Sequence, residues 1–156
     1  MPGDVVDAAT RSRMMAGIRS KDTRPELVVR RGLHALGFRY RLHDRSLPGT
    51  PDLVLPRWKA AIQIHGCFWH RHDCTLFRWP ATRPEFWRSK IGRNVGRDRE
   101  VDAALDRAGW RVLTIWECAM KGPGRIGADA VIAAAADWLR SGSRAGEIRG
   151  TNRASG

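Results

Sequence analysis

The chain has 156 residues, of which 42% are hydrophobic, enough for one domain with a real core and too many for a chain disordered throughout. Its 28 Lys+Arg against 16 Asp+Glu leave a net charge of +12, a balance that favours a nucleic-acid partner because clustered cations release the counterions held by phosphates. No signal peptide and no long apolar run are present, which predicts a cytoplasmic protein without a membrane span, and three cysteines then read as metal ligands or free thiols rather than a disulfide framework.

Residues 1–22 are basic and weakly periodic, with Thr10-Arg11-Ser12-Arg13-Met14-Met15 at their centre. They predict a DNA-gripping arm. Thr23-Arg24-Pro25-Glu26 has the spacing of a capping box and predicts a helix that stops at Gly37. Glu26 is either the cap partner or a group turned toward a site. Residues 38–42 alternate like a strand, and Leu47-Pro48-Gly49-Thr50-Pro51-Asp52 is rich in turn residues. Residues 53–55 and 60–64 predict a hairpin across Pro56-Arg57-Trp58-Lys59. That pairing sets Asp52 near Gln63 and points Gln63 and His65 to one face.

Between Ile64 and Cys74 the chain reads His65-Gly66-Cys67-Phe68-Trp69-His70-Arg71-His72-Asp73-Cys74. Cys67, His72, Cys74 and the distant Cys118 make a Cys3His set, which suits a closed, structural zinc site. His70 competes with His72 for the fourth place. Asp52, a hard oxygen donor, suits magnesium, and His65 and His70 have the near-neutral imidazole that can take a proton from water. Phe68, Trp69 and Trp87 are rings able to wedge between base pairs, at a cost lowest where pairing is already weak.

Thr82-Arg83-Pro84-Glu85 repeats the capping pattern and predicts a helix over residues 84–108. Its first half interleaves Trp87 with Lys90, Arg93 and Asn94, a composition for DNA contact. Its second half carries an apolar stripe. Residues 110–116 predict a strand with Trp110 and Trp116 in the core, and residues 128–139 an amphipathic helix with Trp138 inward. From Ser141 the Gly-, Ser- and Arg-rich composition predicts a disordered tail over residues 141–156.

The motifs His65-Gly66-Cys67-Phe68-Trp69-His70, Pro80-Ala81-Thr82-Arg83, Glu85-Phe86-Trp87, Lys90-Ile91-Gly92 and Gly109-Trp110-Arg111-Val112-Leu113 resemble those of the very short patch repair (Vsr) endonucleases. The resemblance runs from Ala9 to Cys118. It implies an α/β, restriction-endonuclease-like fold over residues 23–140: a central mixed sheet flanked by helices, with a structural zinc site. It implies that Asp52 binds magnesium with help from the main-chain oxygen of Ile64, that His70 is the general base, that His65 supports the site, and that Glu26 lies near it. It gives Zn2+ to Cys67, His72, Cys74 and Cys118. It makes Phe68, Trp69 and Trp87 intercalating rings, with Met15 entering from the other groove.

The expected activity is nicking of one strand of double-stranded DNA 5′ of the mismatched thymine at T:G mismatches, by a monomer. One departure stands out. The nuclease pattern Pro-Asp…(Asp/Glu)-x-Lys reads Pro51-Asp52…Gln63-Ile64-His65 here, so a histidine must supply the base. Two other functions fit the same sequence: a nicking enzyme with broader choice, including uracil or hypoxanthine, and a zinc-stabilised DNA-binding module without catalysis. Asp52 beside two histidines argues against the second, since a pure binder needs no such group.

Overall fold

The computed structural model describes residues 23–151. The predicted arm, with Met15, and the last residues of the predicted tail lie outside the described residues.

Helix α1 (Arg24–Ala35) begins where the capping pattern puts it. The Glu26 amide donates to Thr23 Oγ1 at 3.4 Å, closing one of the open donors of the first turn. The other half of the box does not form, because the Glu26 carboxylate is buried and turned to other partners. Strand β1 is only Arg41–Leu42, shorter than the alternation over 38–42 predicted. Phe38 leaves the strand for the core, and the Tyr40 hydroxyl donates to the Arg30 carbonyl at 2.7 Å, pinning this stretch to α1.

Strands β2 (Leu53–Leu55) and β3 (Ala60–His65) form the predicted hairpin. Leu53 faces Ile62 and Leu55 faces Ala60. Lys59 closes the turn with φ 53°, and its ammonium lies 4.5 Å over the Trp110 ring, a cation–π contact that holds the left-handed residue in place. Helix α2 (Pro84–Arg107) is unbroken through Gly92 and Gly96. Here the capping box is absent. The helix starts at Pro84, so Glu85 falls one place too early to close it, and Arg83 takes the cap position with φ 53° and stacks over Phe86 at 4.3 Å.

Strand β4 (Arg111–Trp116), helix α3 (Ala128–Ser141) and strand β5 (Ala145–Ile148) complete the chain. The sheet order is β1-β2-β3-β4-β5. The first two pairings are antiparallel and the last two parallel. The parallel β3–β4 pair requires a crossover, and α2 supplies it.

The two faces of the sheet read off the alternation of β3 and β4. Ala60, Ile62, Leu113 and Ile115 pack with Val29 and Leu33 of α1 and Val131, Ala135 and Leu139 of α3. Ala61 and Val112 pack the other way, with Leu105 of α2. Trp138 joins the first cluster as predicted. Trp110 joins the second, and Trp116 packs, partly buried, against a third, small cluster made by the three cysteines.

The predicted tail is corrected by β5, which adds a parallel edge to β4. It survives a polar composition because the backbone pairs with β4 and Ile148 is buried. Arg149 then binds the Asp73 carboxylate and main-chain oxygen, tying the end of the chain to the central loop. No helix among the described residues is long and apolar enough to cross a membrane.

Candidate active site and metal centre

The chemistry-bearing residues gather at one end of the sheet, where β2 begins and β3 and β4 end. They form three groups, each with ligand atoms within 4.8 Å of one another: Cys67, His72, Cys74 and Cys118; His65, His70 and Asp98; Glu26, His43 and Asp52.

The first group is buried throughout. His72 Nδ1 stands 3.5 Å from both Cys67 Sγ and Cys118 Sγ, so His72, and not its competitor His70, faces the sulfurs. Burial pushes the Cys67 and Cys118 thiols up, so both are neutral unless a cation draws off their protons. Main-chain amides already aim at the sulfurs: Cys118 N–H donates to Cys67 Sγ and Gly150 N–H to Cys118 Sγ, each at 3.3 Å. Donors of that kind favour thiolate. Gly150 is required there, because a Cβ would come within 2.3 Å of the Cys118 carbonyl oxygen. The His72 ring stacks on Trp116 at 3.8 Å and 8°, and its Nε2 lies 3.6 Å from Asp73 Oδ1. Two or three thiolates and one oriented imidazole fit a soft cation such as zinc.

The second group holds two imidazoles. His65 and His70 stack face to face, 3.9 Å apart and 2° from parallel. Burial, then the neighbouring His70 ring, holds the His65 pKa down at about 3, so His65 is neutral at working pH. His70 Nδ1 is 2.5 Å from Asp98 Oδ2. A carboxylate on Nδ1 fixes the tautomer and orientation of the ring and leaves Nε2 as the proton acceptor. This dyad borders a cleft of about 730 Å³ between α2 and the β4–β5 edge.

The third group holds two carboxylates. The Ile64 amide donates to Asp52 Oδ2 at 2.7 Å, which ties Asp52 to the strand end that carries His65. Burial, and beyond it the adjacent Glu26 carboxylate, pushes the Asp52 carboxyl up to about 7 in spite of that hydrogen bond. Two carboxyl groups forced together in a mostly buried corner are a site that a hard divalent cation would relieve. Glu26 is braced by Arg30 at 2.9 Å and His43 at 2.8 Å.

The rings form a continuous cluster. Phe68 meets Trp69 at 5.1 Å and Trp87 at 5.5 Å, both edge to face. Phe68, Trp69 and Trp87 are half-buried, neither lost in a core nor standing free. Asn94 Nδ2 donates to the Trp69 carbonyl at 3.1 Å, so Asn94 supports the ring loop from α2. Arg93 reaches Ser89 at 2.8 Å. With Arg71, Arg83, Arg88 and Arg97 it leaves an exposed basic surface beside the rings, and Lys90 is half-buried on the same helix.

Glu26, Asp52, His65, His70, the three cysteines and His72 fall in these three groups, Phe68, Trp69, Trp87 and Asn94 in or against the ring cluster, and Lys90 and Arg93 on the same helix as Trp87 and Asn94. Sequence reasoning missed Asp98 and His43. Asp98 lies four residues beyond Asn94, one turn along α2, and that spacing was the available signal.

A family model described as "DNA mismatch endonuclease Vsr" matches residues 3–76. The chain is 46% identical over 136 residues to DNA mismatch endonuclease Vsr of Escherichia coli K12, covering 87% of each chain. It is 43% identical over 123 residues to Type II nicking enzyme V.XorIIP of Xanthomonas oryzae, covering 79% of this chain and 90% of that one. It is 41% identical over 118 residues to Type II nicking enzyme V.NmeAIP of Neisseria meningitidis, covering 76% and 84%.

The chain belongs to the Vsr family. It is a DNA mismatch endonuclease, a hydrolase of phosphodiester bonds, and DNA is its partner. The three groups differ in their chemistry. Sulfurs suit holding a fold, the carboxylates suit holding a hard cation, and the imidazole dyad suits moving a proton.

Proposed function

We propose that this Vsr-family enzyme is a monomer that nicks one strand of duplex DNA 5′ of the mismatched thymine at T:G mismatches. It has a restriction-endonuclease-like fold, a structural Zn2+ and a catalytic Mg2+, and it acts in the cytoplasm on the nucleoid. The observation that carries the mechanism is the 2.5 Å contact between His70 Nδ1 and Asp98 Oδ2.

His70 is the general base. Asp98 holds its Nδ1 proton, so Nε2 accepts the proton of the attacking water and the carboxylate stabilises the imidazolium that forms. His65, neutral and stacked against His70, keeps the ring in plane without adding a second positive charge. Asp52, with the main-chain oxygen of Ile64 and with Glu26 beside it, would hold Mg2+. That ion would neutralise charge building on the phosphate oxygens and stabilise the leaving oxygen. The exposed arginines and Lys90 meet the backbone, and Phe68, Trp69 and Trp87 enter the weakened step beside the mismatch. Cys67, His72, Cys74 and Cys118 would hold Zn2+ and thereby the loop that presents both His70 and the rings.

The test is a strand-specific nicking assay in Mg2+ on duplexes that differ only at one pair. T:G is expected to be cut at least tenfold faster than T:A, and on the thymine strand. Equal cutting of uracil:G, hypoxanthine-containing and T:G pairs would instead make it a broader enzyme.

A further inference from the structure

We propose that His43 is a third side-chain ligand of the divalent cation at Asp52 and Glu26, and that its imidazole shifts this site from magnesium toward manganese. The inference rests on reading the Asp52 corner as the cation site.

The placement of His43 is the first argument. It follows β1 with φ 48°, a left-handed turn that costs a bulky residue on the order of 1 kcal/mol. Its amide donates to the Asp52 carbonyl at 3.1 Å, so its backbone is locked to the residue that carries the carboxylate. The ring is only 20% exposed and its Nε2 faces Glu26 Oε2 at 2.8 Å. Helix α1, the turn after β1 and the start of β2 thus each contribute one group, with ligand atoms within 4.8 Å of one another.

The spacing is the second argument. Adjacent ligands of an octahedral ion with bonds of about 2.1 Å stand roughly 3 Å apart. The 2.8 Å between His43 Nε2 and Glu26 Oε2 needs little change to become such an edge. Without the ion the same pair is a hydrogen bond, with His43 N–H donating to the carboxylate. The imidazole therefore holds the corner ready before the ion enters and can turn a lone pair to it afterwards.

Ligand type then decides selectivity. A site of carboxylate, carbonyl and water oxygens suits magnesium and calcium. One imidazole added to it raises affinity for manganese and the later first-row ions, which bind nitrogen more strongly. Magnesium also gives up water reluctantly, so a nitrogen ligand favours its competitor further.

Manganese is the probe. In the wild-type protein, pulsed electron paramagnetic resonance of bound Mn2+ should show a nitrogen coupling that changes when the histidines carry the heavy nitrogen isotope. His43→Gln should lose the coupling and keep its zinc. Its preference for Mn2+ over Mg2+, in binding and in nicking, should fall about tenfold. No nitrogen coupling in the wild-type protein overturns the proposal, whatever the variant does, and leaves His43 as a brace for Glu26. Coupling that persists in His43→Gln overturns it too, by placing the nitrogen on His65 or His70. Mn2+ binding that is unchanged in Asp52→Asn removes the Asp52 corner as the cation site, and the proposal with it.

Discussion

The cysteine clasp and the carboxylate corner lie at the same end of one sheet and are built in opposite ways. In the clasp, soft atoms converge, main-chain amides already aim at the sulfurs, and Trp116 covers the imidazole. In the corner, Asp52 and Glu26 repel each other, and the Asp52 carboxyl is held at about 7 by burial and then by that neighbour. In the proposed mechanism the clasp would hold an ion that stays, and the corner one that acts on a substrate. Beside them is the His70–Asp98 pair, with His70 on the loop that carries Cys67, His72 and Cys74, and Asp98 reaching it from α2.

The sharpest way to break this contrast is to remove a sulfur. Cys118→Ser should abolish tight zinc binding and lower stability by up to about 10 kcal/mol, the scale of structural zinc binding, with nicking lost as a result. Metal analysis and thermal melting check it; a stable, active, zinc-free variant would refute a structural role for the clasp. His70→Ala should leave melting and mismatch binding nearly unchanged while nicking falls about 10²–10⁴-fold. Turnover close to wild type would take His70 out of the proton transfer.

Asp52→Asn should have the reverse effect on stability. In the folded, metal-free protein the carboxyl keeps its proton up to about pH 7, whereas an unfolded Asp loses it near pH 4. The stabilising contribution is full below about pH 4 and is lost as pH rises through about 7, a change of a few kcal/mol. Asn has no such loss, so the variant should melt progressively higher than wild type as pH goes from about 4 to 8. A gap in melting temperature that does not depend on pH would show that Asp52 carries no strain. Trp69→Ala should have the smallest effect, about 1–3 kcal/mol of mismatch discrimination in binding, and equal weakening on paired DNA would make the ring a packing group.

The same contrast explains what could be read from the residues alone. The grouping of the clasp was legible because cysteine and histidine at short spacing have few other uses in such a chain, and the strand over residues 110–116 visibly delivers Cys118, its fourth member. Asp52 was legible through the hairpin register, which puts it at the strand end. Asp98 and His43 were not. Their partners lie 28 and 17 residues away, and an aspartate in a helix of alternating charges looks the same whether it faces solvent or an imidazole. The β5 edge was hidden for a different reason. Its stability comes from main-chain pairing and from one buried Ile148, and neither leaves a periodic pattern. The cysteine clasp is nonetheless joined to that edge, through Gly150 and Arg149.

The division of labour between the two ions is the central claim, and one measurement addresses it directly. Protein treated with a chelator that strips Mg2+ but not the buried zinc is assayed for nicking of a T:G duplex, with zinc content followed in the same sample. About one zinc per chain throughout, no nicking in the chelator, and full recovery on Mg2+ alone is the predicted result. Nicking that persists without Mg2+, or that returns only when zinc is added, would contradict it.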